Sequence, residues 1–296
     1  MSKSKEIALL VNESIFKVKI NEEENLLTTL RGAGFFSVKF GCGTGDCGMC
    51  TVLIEGKPTL SCQTKTVAIE GKKIITLEGL SKDGEIDPIQ QAFIDTGAIQ
   101  CGFCSPALIL SAKALLDKNP NPTEIEVRKA LNPVLCRCTG YVRGVHAVLR
   151  AAAVRSGKKV DPYAHIDQDL PEDISRINFP VEYYRKDGSR NPLPPLVLTP
   201  KSMEKTKVVG KSEVKVDARK LALGKPVFTD DFRLPGMLYG ALLTSPHAYA
   251  KIRNIDTRKA LALAGVKAVM THKDLPRVKY ASGGQSYPQP KPYDQV

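Results

Sequence analysis

The sequence predicts an α+β protein in which a strand-rich region, a helical region and a mixed region follow one another over 296 residues. Three observations support this order. Short runs of alternating apolar residues occupy the first 80 residues, and apolar residues recur at helical spacing from about residue 87. A polar stretch with several prolines, residues 156–215, separates these two regions from a third one that contains both patterns.

The first 80 residues are expected to form a small sheet with one helix. Two of the predicted strands flank a turn at Asn12-Glu13, which indicates a β-hairpin, and residues 55–58 are expected to form another turn. Asn25 is a candidate N-cap for a short helix over Leu26–Ala33. The predicted strands are Glu6–Val11, Ser14–Ile20, Thr51–Ile54 and Lys73–Leu77.

Four helices are predicted from about residue 87 onwards. Each of the first three predicted helices begins with a cap signal, which is either a short polar residue followed by proline or a capping box. These signals are Asp87-Pro88, Ser105-Pro106 and Thr123 with Glu126. The fourth helix is expected over Val145–Val154. In an antiparallel four-helix bundle, the loops before the second and fourth helices lie at the same end.

Eight cysteines fall into two groups of four, with no cysteine left over. The first group, the loop tetrad, has C-x4-C-x2-C and a more distant fourth cysteine, which is the plant-type [2Fe–2S] signature. The second group, the helical tetrad, has C-x2-C, a long gap and C-x-C, so its halves lie in the loops before the second and fourth predicted helices. The loop tetrad consists of Cys42, Cys47, Cys50 and Cys62, and the helical tetrad of Cys101, Cys104, Cys136 and Cys138.

Disulfides and zinc are the alternatives to iron–sulfur clusters for these thiols. Disulfide frameworks belong to short secreted chains, whereas the start of this chain lacks the apolar core of a signal peptide. No run approaches the roughly 18 apolar residues of a membrane span, so we expect a cytoplasmic, reducing location and no membrane association. The C-x2-C pairs would suit zinc. Against zinc, the loop Gly41–Cys50 is rich in glycine and can fold tightly around a larger inorganic core.

The net charge of +12 lies mostly in the second half of the chain. Its lysines are scattered and are not interleaved with aromatic residues, so we expect no nucleic-acid partner. Structural roles are predicted for the histidines, which have no partner at metal-ligand spacing. These histidines are His146, His165, His247 and His272. No serine triad or phosphate-binding loop occurs, and no catalytic residue is assigned to this chain.

Three motifs resemble signatures of the xanthine oxidase family of molybdenum hydroxylases, and the resemblance extends over residues 5–155. The motifs are Gly41–Cys50, Gln100–Pro106 and Cys136–Tyr141. The resemblance implies a β-grasp, ferredoxin-like [2Fe–2S] domain and a four-helix-bundle [2Fe–2S] domain, the latter closer to a molybdenum centre. It also implies that Gln100 hydrogen-bonds the pterin and that Cys138 lies beside the pterin edge. The molybdopterin itself would be held mainly by a large partner subunit.

Three later segments resemble the opening of the family's α/β hammerhead domain. They are residues 224–231, 238–247 and 265–274. Strands are expected at Leu238–Leu243 and Val266–Met270, with a helix over Thr257–Leu263 between them. No flavin domain is inserted before these segments, which resembles the aldehyde oxidoreductase layout. The expected domains are a ferredoxin-like domain over 1–80, a helical domain over 81–157, an extended linker over 158–215 and a partial α/β hammerhead domain over 216–296.

The resemblance implies an electron-transfer subunit of a molybdenum hydroxylase that oxidises an aldehyde or an N-heterocycle such as a purine. Electrons would pass from the molybdopterin centre through the helical tetrad's cluster and then the loop tetrad's cluster to an acceptor. That acceptor would be an FAD-binding subunit, a ferredoxin or a flavodoxin. Two alternatives stay open, a free-standing two-cluster electron carrier without molybdenum and a zinc-stabilised scaffold module.

Overall fold

The structure, a computed structural model, describes residues 4–82, 85–138, 141–160, 213–226 and 228–276. The chain divides into two units, Met1–Leu234 and Pro235–Val296. The first unit contains a five-stranded sheet, a bundle of four helices and both cysteine tetrads. The second unit consists, over its described residues, of irregular chain and one short helix.

Five strands form one mixed sheet in the order β2-β1-β5-β3-β4. They are β1 Ser4–Val11, β2 Ser14–Asn21, β3 Thr51–Ile54, β4 Lys57–Leu60 and β5 Lys73–Ile75. β1 and β5 pair in parallel, and the other neighbouring strands are antiparallel. Helix α1, Leu26–Gly32, shares one hydrophobic core with the sheet, and Asn25 accepts a hydrogen bond from the Thr28 N–H at 2.9 Å. The predicted β-grasp, its hairpin and its helix cap are confirmed.

Strand β4 was not predicted, because Pro58 and the preceding Glu55-Gly56 suggested only a turn. The structure confines the turn to Glu55-Gly56, both with positive φ, and pairs β4 with β3. β4 lies at the edge of the sheet, where a proline without an N–H is tolerated. Because β4 turns the chain back along β3, it delivers Cys62 to the end of the sheet where Cys50 lies.

Four helices follow the sheet. They are α2 Pro88–Asp95, α3 Ser105–Lys118, α4 Glu124–Leu131 and α5 Val142–Arg155. The cap signals of α2 and α4 form complete capping boxes. The N-cap of α3 is Cys104 and not Ser105, because the Ser105 N–H already donates to Gly102 O inside the first turn. Helix α5 begins before Val145, immediately after Tyr141 in the left-handed conformation (φ 73°).

The four helices bury a single core against one face of the sheet. Helix α2 packs on α5, α3 packs on α4, and α4 packs on α5, while α3 also contacts β3. The core centres on fully buried side chains from all four helices, and it includes Leu53 from β3. These helix residues are Phe93, Ile109, Leu131 and Val148. The two modules are therefore packed together and are not joined only by chain.

The described residues from 213 to 234 return to both modules, and we call them the strap. Helix α6, Ala218–Ala222, buries Leu221 and Ala222 in the core of the bundle. The Gln90 side-chain amide donates to Ala222 O at 2.7 Å. The strap includes residues that the sequence analysis placed at the start of the hammerhead domain. Most of the expected linker, residues 161–212, lies outside the described residues.

The second unit differs from its prediction. Helix α7, Arg258–Leu261, is shorter than the expected helix, and the described residues of this unit form no strand at 238–243 or 266–270. The prediction of these two strands was wrong. They have no partner strand within the described part of the unit, and the Leu243 side chain is 98% exposed. Among the described residues of the chain, no helix is long and apolar enough to cross a membrane.

Candidate metal centres

The four thiols of the loop tetrad come from the ends of two elements. Cys42 and Cys47 lie in the loop between α1 and β3, and Cys50 directly precedes β3. Cys62 lies in a short 3-10 helix that follows β4. Because Thr51 of β3 pairs with Leu60 of β4, the adjacent Cys50 and Cys62 meet at one end of this hairpin. The Cys62 N–H lies 3.5 Å from the Cys50 Sγ.

Backbone N–H groups of the glycine-rich loop point at its sulfur atoms. The N–H groups of Thr44 and Cys47 donate to Cys42 Sγ, each at 3.4 Å, and the Cys42 N–H donates to Cys47 Sγ at 3.3 Å. A Cβ on Gly41 would lie 2.6 Å from Cys47 Sγ, so this close approach requires glycine. The Thr44 hydroxyl and these N–H groups lower the pKa of Cys42 to about 5. These donors stabilise the thiolate of Cys42, whereas burial raises the pKa of Cys50 at the end of the loop to about 11.

The helical tetrad lies at the N-terminal ends of two helices. Cys101 and Cys104 precede α3, and Cys136 and Cys138 lie in the loop before α5. Cys104 is buried, and burial is the main cause that raises its pKa. Cys101 is exposed as a residue, but partial desolvation of its thiol raises its pKa, with the neighbouring Cys138 as a further cause. These thiols gain less from the backbone than Cys42 does.

Tyr141 holds the second half of the helical tetrad in place. Its hydroxyl accepts a hydrogen bond from the Cys136 N–H at 2.8 Å. The residue reaches back because its backbone adopts a positive φ of 73°, which is uncommon for a residue with a Cβ. Tyr141 belongs to the motif Cys136–Tyr141, but no role was predicted for it from the sequence. Its position three residues after Cys138 was the one available signal.

Within each tetrad the thiols interact with one another. In the loop tetrad, hydrogen bonds to sulfur link Cys42 with Cys47 and Cys50 with Cys62. In the helical tetrad, Cys101 interacts electrostatically with Cys104, Cys136 and Cys138, and Cys104 also interacts with Cys136. Among the described residues, no three His, Cys, Asp or Glu side chains converge on the position of a single ion. All eight cysteines are thiols and not disulfides. A dinuclear [2Fe–2S] cluster takes four cysteines for two irons, whereas one zinc ion needs its four ligands around one point. Each tetrad supplies the four thiols that one such cluster takes.

The two tetrads meet at a junction formed by their loops. The Leu135 N–H donates to Cys47 O at 2.9 Å. Gly48 packs so closely on the other loop that a Cβ there would lie 2.2 Å from Pro133 O. One hydrogen bond and a short run of covalent bonds therefore join Cys47 to Cys136. We call this contact the junction, and the sequence analysis did not predict it.

The structure brings Gln100 and Cys138, the two residues expected near a pterin, close to each other through Cys101. Gln100 directly precedes Cys101, and Cys101 lies beside Cys138. This end of the bundle is exposed at Gln100, Cys101 and Cys138. It is therefore accessible to a further group that is not part of the described residues. His146, His247 and His272 are exposed and do not join either tetrad, and His165 lies outside the described residues.

A buried ionic cluster ties the strap to the sheet module. Lys39 Nζ lies 2.7 Å from Asp231 Oδ2, and both side chains are almost fully buried. The Arg31 guanidinium reaches Asp231 Oδ1 at 3.3 Å and also binds the more exposed Asp230. Phe228 lies edge-on to Phe103 at 5.2 Å between ring centroids. Sequence reasoning missed this cluster, because Arg31 and Asp231 are 200 residues apart.

Comparison with known families gives three matches along the chain. Residues 9–73 match the 2Fe-2S iron-sulfur cluster binding domain, and residues 76–149 match the [2Fe-2S] binding domain. Residues 223–293 match the a/b hammerhead domain of aldehyde oxidase and xanthine dehydrogenase. These matches and the two cysteine tetrads define a protein with two [2Fe–2S]-binding domains.

Individual relatives cover this chain in two ways. The aldehyde oxidoreductase of Megalodesulfovibrio gigas is 37% identical over 263 residues, which are 87% of this chain and 25% of that protein. The nicotinate dehydrogenase small FeS subunit of Eubacterium barkeri is 45% identical over 150 residues, which are 50% of this chain and 95% of that subunit. The crystal structure of the aldehyde oxidoreductase from Desulfovibrio desulfuricans superposes with a TM-score of 0.73 at 31% identity. The superposition covers 92% of this chain and 27% of the aldehyde oxidoreductase chain.

The chain belongs to the xanthine oxidase family of molybdenum hydroxylases. It spans about a quarter of the length of the aldehyde oxidoreductases that it matches and nearly all of the small iron–sulfur subunit.

Proposed function

We propose that this chain is the electron-transfer part of a molybdenum hydroxylase and that each tetrad holds one [2Fe–2S] cluster. The junction is the observation that carries the proposal, because it connects the two tetrads through the Leu135 N–H and Cys47 O. A bound [2Fe–2S] cluster takes up and releases one electron at a time. The loops of this chain set the separation of the two sites and supply the thiolates and N–H donors around them.

The proposed electron path has an exposed end at each tetrad. Gln100 and Cys138, at the end of the bundle, are proposed to face a molybdopterin held mainly by a large partner subunit or a further part of the chain. Cys42 and Phe40 are exposed at the other tetrad. This second end is proposed to deliver electrons to an FAD-binding subunit, a ferredoxin or a flavodoxin. The direction rests on the family resemblance alone.

The proposed substrate is an aldehyde or an N-heterocycle. The relatives are named for such reactions, and they include an aldehyde oxidoreductase, a nicotinate dehydrogenase and a xanthine dehydrogenase iron-sulfur-binding subunit. A quinoline 2-oxidoreductase chain also superposes at a TM-score of 0.50 and 36% identity.

The two alternatives make different demands on the strap and the thiols. A free-standing electron carrier has no need of a hammerhead segment, yet residues 223–293 match one. A zinc-stabilised scaffold has no need of a glycine-rich loop whose N–H groups point at the sulfur atoms of Cys42 and Cys47. Both observations support the electron-transfer proposal.

Metal analysis of the native protein, together with whatever co-purifies, tests the proposal directly. We expect about four irons per chain and molybdenum in the complex. Iron without molybdenum or a partner would favour the free-standing carrier, and zinc would favour the scaffold.

Cys138→Ser tests the electron path in the same complex. We expect molybdenum occupancy to be unchanged and the reduction of the loop tetrad's cluster by substrate to be lost. The measurement is the electron paramagnetic resonance (EPR) signal of that cluster after substrate is added. Unchanged reduction in the variant would contradict the path through the helical tetrad.

A further inference from the structure

Ser105 carries the one buried side-chain nitrogen or oxygen atom, among the residues that the structure describes, with no hydrogen-bond partner. Its side chain is 1% exposed and its hydroxyl is unsatisfied. Other buried hydroxyls do have partners: Ser61 Oγ donates to Cys50 O at 2.7 Å, and Thr96 Oγ1 donates to Ala92 O at 2.8 Å. A buried hydroxyl without a partner costs free energy, so an orphan at a defined position calls for a ligand.

The position of Ser105 indicates which group it faces. It is the first residue of α3, directly after Cys104. The Cα–Cβ bonds of an α-helix tilt toward its N-terminus, so the Ser105 side chain leans toward the end where Cys101 and Cys104 lie. Its own N–H is already used by Gly102 O at 3.2 Å. The hydroxyl is thus a buried side-chain donor left without a partner at this end of the helix.

We propose that the Ser105 hydroxyl donates a hydrogen bond to a sulfur atom of the cluster in the helical tetrad and thereby raises the reduction potential of that cluster. The proposal rests on the proposed function, since it requires a cluster at this tetrad. Each electron taken up adds one negative charge to the cluster and its thiolates. A donor aimed at sulfur stabilises the more negative, reduced state, so the potential becomes more positive. Ser105 is a positioning residue that acts through the cluster and touches no substrate.

Ser105→Ala, Ser105→Thr and Ser111→Ala test the proposal in the full chain with its clusters bound. Ser111 is also a buried residue and lies about two turns further along α3, so Ser111→Ala controls for removal of a serine hydroxyl from the same helix. The readout is a redox titration with dithionite and mediators, followed by EPR. The loop tetrad's cluster serves as an internal reference in every sample.

We expect Ser105→Ala to shift the potential of the helical tetrad's cluster to a more negative value and to leave the other cluster unchanged. Ser105→Thr keeps a hydroxyl and should restore most of the potential, and Ser111→Ala should not alter it. A second readout is the melting temperature of the metal-free chain. It should stay the same or rise in Ser105→Ala, because an unsatisfied buried hydroxyl has been removed.

Three outcomes would overturn the proposal, and they are distinguishable. If both clusters are present and Ser105→Ala leaves both potentials unchanged, the hydroxyl has another partner, such as a buried water, and the proposed function stands. If wild-type protein binds no cluster at the helical tetrad, this inference and the proposed function fail together. A lower melting temperature of metal-free Ser105→Ala would show that the hydroxyl already has a structural partner.

Discussion

The two tetrads place four cysteines each in very different surroundings. Cys42 of the loop tetrad is exposed and receives hydrogen bonds from several backbone N–H groups. Cys104 of the helical tetrad is buried, and the raised pKa follows mainly from that burial. Cys42 is prepared for the thiolate form before any metal arrives, whereas burial raises the pKa of Cys50 in the same tetrad to about 11. The buried thiols Cys50 and Cys104 rely on the metal to displace their protons, so ligands of equal chemistry can have unequal readiness.

The strap is held on the two modules by different interactions. It is held on the sheet module by buried charge, through Arg31 and Lys39 around Asp231. On the bundle it is held by packing, since Leu221 fits against Gly102, where a Cβ would lie 2.6 Å from Leu221 Cδ2. One segment therefore joins the modules with two different kinds of interaction.

The largest expected difference between the tetrads is in thiol reactivity. In the metal-free protein at pH 7, iodoacetamide should label Cys42 on the order of 10³-fold faster than Cys104, because the thiolate is the reactive form and Cys42 is exposed. With a pKa of about 5, Cys42 is already ionised at pH 7, so its rate should change little above that pH. The rate at Cys104 should increase as pH rises, because its pKa is raised. Peptide mass spectrometry after timed labelling measures both labelling rates. Equal rates would contradict the expected difference between Cys42 and Cys104.

The next effect concerns the ionic side of the strap. Asp231→Ala should lower the free energy of unfolding by about 3–5 kcal/mol, because it leaves the buried Lys39 and Arg31 cations without this carboxylate. Asp230→Ala is the matched control, since that neighbouring carboxylate is 69% exposed and should cost only about 0–1 kcal/mol. Urea unfolding of the metal-free chain measures both. Similar losses in the two variants would mean that burial does not strengthen this anchor.

The smallest of the three effects tests the junction. Gly48→Ala should lower the free energy of unfolding by about 1–3 kcal/mol more than Gly56→Ala, because only Gly48 packs against Pro133. Both glycines have nearly the same positive φ, 69° and 73°, and no atom lies near a Cβ at Gly56, so the control isolates backbone strain. The loaded Gly48→Ala protein should also show weaker spin coupling between its reduced clusters. Equal stability and coupling in both variants would contradict the junction.

Local signals in the sequence were sufficient for the elements that depend on neighbouring residues. Asn25, Asp87 and Thr123 each cap the predicted helix, because an N-cap needs only a side-chain acceptor within the first turn. The grouping of the cysteines into two tetrads was also readable, because metal-ligand spacing is itself a local pattern. The thiol pairs Cys50/Cys62 and Cys104/Cys136 agree with that grouping.

Contacts between distant segments could not be predicted in the same way. Nothing near Gly48 indicates that Pro133 will lie against it, and nothing near Arg31 indicates Asp231. The missed strand β4 is an intermediate case, since Pro58 is compatible with a strand only once the strand is known to be at an edge. The expected strands in the second unit failed for the opposite reason. An alternating apolar pattern supports a strand only where another strand is available to pair with it.

The close fit of Gly48 on Pro133 limits how these two modules can be exchanged between proteins. A longer loop in either module would push the other away, so neither module can be exchanged for an unrelated one without its counterpart. The small iron–sulfur subunit from Eubacterium barkeri matches this chain over 150 residues, a length that takes in both modules together. The smallest portable unit is therefore the pair, and a transplant into another enzyme would have to carry both loops in one piece.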